Sequence, residues 1–122
     1  MDYQTFMNLV AEAIDDLPAE FREKMENVQV VVEPWPDAEV LAQTHVRRPA
    51  DLLGFYQGVP RTRRTHRYGL VLPDKISIYK GPIELRCRTE DEIRETVRRV
   101  LRHEIAHHFG LSDAQLRHLG AY

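Results

Sequence analysis

A single cysteine, Cys87, stands in 122 residues, so no internal disulfide can brace the fold and a small disulfide-built scaffold is excluded. Long apolar runs are missing as well. None approaches the ~18 residues that a membrane span requires, and the opening segment, MDYQTFMNLVAEAIDD, is acidic and amphipathic where a secretory signal is basic and then apolar. The expected location is therefore the cytoplasm, with no membrane partner. Excess charge is absent too: 17 Lys and Arg against 19 Asp and Glu leave a formal charge of −2, which gives no global pull toward nucleic acid. Repeats, low-complexity tracts and linkers do not occur, and the length suits one small domain, residues 1–122, around a single core.

The patterning that is present alternates between helix and strand. Phe6, Leu9, Val10, Ala13, Ile14 and Leu17 recur at helical spacing, which predicts an amphipathic helix over residues 4–17 that stops at Pro18, with a short second helix over 19–26. Val28 to Glu33 is β-branched and apolar between a helix and Pro34, and reads as a central strand. From Pro34 to Pro60 a loop is expected, interrupted by a short helix at Asp37 to Gln43. Tyr68 to Leu72 and Lys75 to Tyr79 read as two strands joined through Pro73-Asp74, with Gly81-Pro82 limiting how far the second can pair. Thr89 followed by Glu92 is a capping box, and Ile93, Val97, Val100, Leu101 and Ile105 form a stripe, so a helix should run from Glu90 to Phe109 and end on a left-handed Gly110. Ser112 with Gln115 opens a closing helix that ends near Gly120.

The end of the long helix carries the chemistry, in the run HEIAHHFGLSD from His103 to Asp113. Positions four apart lie on one helix face with Cβ atoms roughly 5–6 Å apart, so His103 and His107 can both reach one Zn²⁺. Glu104 sits beside that metal and can act as general base toward water. Gly110 turns the chain, and Asp113 can supply a third, oxygen ligand, since Ser112 already provides the next helix cap; His118 is the competing third ligand. In a chain of this composition H-E-x-x-H arises by chance about once in 40 sequences, and with Gly and Asp at their offsets about once in 12,000. The extended motif therefore outweighs the reading of two surface histidines.

Other polar residues are less specific. His108 points some 100° away from the metal face and reads as a supporting or surface residue. Tyr68, Tyr79 and Tyr122 could each contact substrate or an oxyanion, although a core or surface tyrosine is the simpler reading of each. The basic run from Arg61 to Arg67 could contact phosphates but lacks interleaved aromatics and reads as a solvated loop. Cys87, between Arg86 and Arg88, reads as an ordinary thiol.

Together with the upstream LLGFYQGVP and LPDKISIYKGPIE, the run from His103 to Asp113 resembles the small bacterial zincin-like metallopeptidases, the minimal zincins, over nearly the whole chain. The resemblance implies a compact α+β domain in which a short sheet lies over the active-site helix, with His103, His107 and Asp113 as ligands and Glu104 as base. The chain departs from full metzincins in lacking a methionine turn after the motif: its methionines are Met1, Met7 and Met25. It also lacks the second subdomain that walls the cleft in larger zincins, which leaves room for a protein partner to complete it. The expected function is zinc-dependent hydrolysis of a peptide or protein substrate, with the strand Lys75 to Tyr79 as the edge on which an extended peptide pairs. Two alternatives stand beside it: a zinc-dependent nuclease using Arg61 to Arg67, which Glu104 and Asp113 count against, and a zinc-bound interaction module without turnover.

Overall fold

The structure is a computed structural model that describes residues 1–58, 73–111 and 114. Helix α1 (Tyr3–Asp15) starts where the Asp2 carboxylate accepts the Thr5 N–H at 2.7 Å, and it buries Phe6, Leu9, Val10 and Ala13. Helix α2 (Ala19–Lys24) follows Pro18 and leads into strand β1 (Val28–Glu33). Helix α3 (Ala38–Gln43) is capped by Asp37, whose carboxylate accepts the Val40 N–H at 2.8 Å. A 3₁₀ turn at Pro49–Asp51 precedes strand β2 (Gly54–Gln57). Strand β3 (Asp74–Tyr79) passes directly into helix α4 (Lys80–Arg86), and helix α5 (Glu90–Phe109) follows. No helix among the described residues is long and apolar enough to cross a membrane. The predicted strand Tyr68 to Leu72 and the closing helix after Ser112 lie outside the described residues.

Among the described strands the sheet order is β1–β3–β2, with β1 parallel and β2 antiparallel to β3. Two sequence expectations are thereby corrected. Val28 to Glu33 is an edge strand, not the centre, and of its residues only Val32 is buried. The centre is β3, the strand expected to form the edge. Ile76 and Ile78 point into the main core, while Ser77 and Tyr79 are fully buried on the opposite face. The polar identities of Ser77 and Tyr79 imitate a half-solvated strand, and they disguise a strand covered on both sides. A third correction concerns the stretch expected as loop: LLGFYQ supplies β2. Strand β3 ends at Tyr79, ahead of Gly81-Pro82 as expected, and that pair lies in the first turn of α4, where a proline removes no helical hydrogen bond.

Helix α5 follows its sequence signals closely. The Thr89 hydroxyl accepts the Glu92 N–H at 3.1 Å, while the Glu92 carboxylate takes the Arg88 N–H at 2.8 Å, one residue further back than a capping box would place it. At the other end Gly110 adopts φ 67° and ψ 32°, its N–H reaching His107 O and the Leu111 N–H reaching Ala106 O, a complete Schellman cap. Between the ends Ile93, Val97, Leu101 and Ile105 are buried against α1 and the sheet. Guanidiniums line the seam with α1: Arg94 meets Glu12 at 3.0 Å and Arg98 meets Asp16 at 2.8 Å.

Strand β2 lies so close to α5 that position 54 has no room for a side chain. A Cβ there would sit 2.5 Å from Val100 Cγ1 and 3.0 Å from the Ser77 carbonyl oxygen. Gly54→Ala is expected to lower stability by about 1–3 kcal/mol, and adding Val100→Ala should recover part of the loss that is due to the crowding. Urea unfolding of the three proteins measures both; equal stability of Gly54→Ala and wild type would show that the strand is free to move off the helix.

Candidate metal and catalytic site

The burial of Leu101 and Ile105 decides which way the last two turns of α5 face. With those side chains at 0 % exposure, His103 and His107 lie on the solvent side of the helix. Glu104 lies between core and solvent, partly buried, and it is tied to the sheet: its carboxylate accepts the main-chain N–H of Tyr56 on β2. Burial pushes its pKa up from the ordinary carboxylate value. His103, the Tyr56 N–H and His107 pull in the opposite direction, which places both imidazoles within electrostatic reach of the carboxylate.

This donor set suits Zn²⁺, which takes nitrogen and oxygen ligands and in catalytic sites keeps a position open. His103 and His107 supply the nitrogens. Among the described residues no group of three or more His, Cys, Asp or Glu is arranged to hold a metal, and the expected third ligand, Asp113, lies outside the described residues. So do its rival His118, two of the candidate tyrosines, Tyr68 and Tyr122, and the basic run Arg61 to Arg67. The third tyrosine, Tyr79, is fully buried with Val40 and Leu52 on the face of the sheet away from α5, and burial pushes its phenol up to about 12. Its phenol nonetheless lies within electrostatic range of Glu104.

Sequence reading misses Tyr56 and Asp74. Tyr56, 9 % exposed, donates its hydroxyl to the Asp74 carboxylate at 2.6 Å, and Asp74 is itself 5 % exposed. His108 completes the group. Its ring stacks on Tyr56 with centroids 3.9 Å apart and planes 14° from parallel, and its Nε2 lies 3.7 Å from Asp74 Oδ2. The supporting role expected of His108 thus has a concrete form: it joins the helix turn that holds His107 to two strands. Pro73-Asp74 reads as a turn in the sequence, which conceals a buried carboxylate at the first residue of β3. Tyr56 carries no signal beyond its place in LLGFYQGVP.

Two outcomes follow for the metal-free protein. Tyr56→Phe keeps the stack on His108 but leaves the buried Asp74 one donor short, so unfolding should become easier by about 1–3 kcal/mol. Glu104→Gln keeps an acceptor for the Tyr56 N–H and removes a charge that burial disfavours. At neutral pH its melting temperature should equal or exceed that of wild type; a clear drop would show the carboxylate to be structural.

The sequence profile of zincin-like metallopeptidases matches residues 25–121. A solved structure, a conserved hypothetical protein from Thermo thermophilus, shares the fold at 24% identity with a TM-score of 0.53, covering 89% of this chain and 94% of that one. No curated protein matches the chain. The match takes in β1 to β3 and all of α5 with His103, Glu104 and His107, and by it the chain belongs to the zincin-like metallopeptidase family.

Proposed function

We propose that the protein is a zinc-dependent peptidase in which His103, His107 and Asp113 hold the metal and Glu104 is the general base. The observation that carries this reading is the setting of Glu104: half-buried, flanked by two outward-facing imidazoles, and fixed by a main-chain N–H from a strand at the sheet edge. Bound there, zinc would supply a Lewis acid that acidifies water and polarises a peptide carbonyl. Glu104 takes the proton of the attacking water and delivers it to the departing amine. Its raised pKa suits both halves of that task, because a carboxylate pushed upward is a better proton acceptor and can still release the proton.

The strand that receives the substrate is β2, in place of Lys75 to Tyr79. Leu53 O accepts the Tyr79 N–H at 3.0 Å, and antiparallel residues alternate in the direction of their main-chain groups. Leu53, Phe55 and Gln57 therefore turn toward β3, while Gly54 and Tyr56 turn outward, beside Glu104. The Tyr56 N–H is taken by Glu104, so an extended peptide laid along this edge gains main-chain hydrogen bonds from the remaining outward groups, with little side-chain selectivity. Among the described strands none pairs with this edge.

Glu104→Gln should retain zinc and lose hydrolysis of unstructured peptides by about 10²–10⁴-fold. His103→Ala and Asp113→Ala should each lose stoichiometric zinc. Metal analysis beside a peptide-cleavage assay, with RNA at low salt as the second substrate, reads all of this. Undiminished peptide cleavage in Glu104→Gln removes the base from the mechanism, and cleavage of RNA alone overturns the peptidase reading. Tight partner capture that is indifferent to Glu104→Gln would identify a binding module.

A further inference from the structure

A pocket of about 320 Å³ opens immediately beside Glu104 and His103. Its floor is apolar, made by Leu52, Leu53 and Val100 with the bare main chain of Gly54. Its rim carries two charged residues of different standing. Asp51 is already engaged, with Arg48 donating to it at 3.0 and 3.3 Å and Arg86 at 3.4 Å. Arg99 is not: Arg94, Arg98 and Arg102 of the same helix each meet a carboxylate, whereas Arg99 has no ion pair or hydrogen bond among the described residues. The acidic wall is thus neutralised by two guanidiniums and a third guanidinium stands open over an apolar floor.

Such a pocket fits a group that is apolar at one end and anionic at the other. Arg99 precedes His103 by four residues, so it stands on the same helix face about 6 Å away along the axis. In a peptide the next α-carbon after the scissile bond lies only ~3.8 Å on, and the carboxylate of a terminal residue falls between the metal-binding histidines and the reach of an arginine side chain. An internal residue would bring a neutral amide to the same place and leave the guanidinium unmatched. We propose that this pocket receives the carboxyl-terminal residue of the substrate, its apolar side chain on Leu52, Leu53 and Val100 and its α-carboxylate on Arg99. The enzyme is then a carboxypeptidase for peptides that end in a bulky apolar residue. This rests on the peptidase reading above. The reaction balances as a hydrolysis: the terminal C–N bond breaks, the acyl carbon gains the hydroxyl of water, and the remaining proton passes through Glu104 to the amine of the released amino acid.

The test compares an amino-blocked peptide ending in leucine as the free acid, the same peptide amidated, and one ending in aspartate, with zinc-loaded wild type, Arg99→Gln and Arg99→Lys. Mass spectrometry should show loss of the terminal leucine alone. The kcat/KM for the free acid should exceed that for the amide and for the aspartate peptide by about 10–100-fold, as a charge-assisted contact implies. Arg99→Gln should bring the free acid down to the level of the amide, and Arg99→Lys should restore part of the difference. A second reading uses the zinc-free protein: N-acetyl-leucine should shift the Leu53 and Val100 methyl resonances, N-acetyl-leucinamide should not, and Arg99→Gln should abolish the shift. If the acid and amide are cut equally, or cleavage falls at internal bonds, the proposal is overturned although the peptidase reading survives. If nothing is hydrolysed, that reading fails, and the absence of the methyl shifts would then sink the pocket as well.

Discussion

Burial of one stripe of α5 is the constraint from which the rest of the site follows. Leu101 and Ile105 are wholly enclosed by α1 and the sheet, and a helix with one face so committed has a fixed rotation about its axis. The opposite face must then meet solvent, and it is there that His103 and His107 stand. Glu104, one step round from His103, comes to the boundary between the two faces. Its half-buried state is therefore a geometric consequence of the packing beneath it, and the shift in its proton affinity comes with that position.

The same commitment divides α5 into two halves of different duty. The upstream half of α5 holds the helix in place through Ile93 and Val97 in the core and through Arg94 on Glu12 of α1 and Arg98 on Asp16 at its end. The exposed ion pairs of this seam contribute little each, so the apolar contacts carry most of the attachment. The downstream half is left to chemistry, and its end is fixed by Gly110, where a left-handed residue closes the last turn. The profile shared with the family begins at residue 25, after α1 and α2. The helix that braces the upstream half of α5 thus lies before the shared segment, whereas all the residues proposed to hold the metal fall within it.

What can be read from the sequence divides along the reach of each signal. Local signals are reliable: Thr89, Gly110 and the apolar stripe give both ends and the face of α5, and Asp37 marks the start of α3. The motif His103 to His107 is legible for the same reason, since its geometry is that of a single helix. Relations between distant segments are not. The order of strands depends on which neighbours cover each face, and the fully buried Ser77 and Tyr79 give no sign of their cover. Tyr56 and Asp74 are 18 residues apart and meet only because β2 and β3 pair in one register, which no periodicity within either segment reveals. Arg99 looks like one of several helix arginines until its neighbours' partners are known.

Tyr56 is held at three points, by its N–H on Glu104, its ring on His108 and its hydroxyl on Asp74. These attachments tie the strand that would line a substrate to the helix turn that would hold a metal. A site braced in this way spends little of its binding energy on ordering itself, and a carboxylate so held would need no repositioning to serve as the proposed base. Bracing of this kind would let the proposed chemistry proceed without a closing motion.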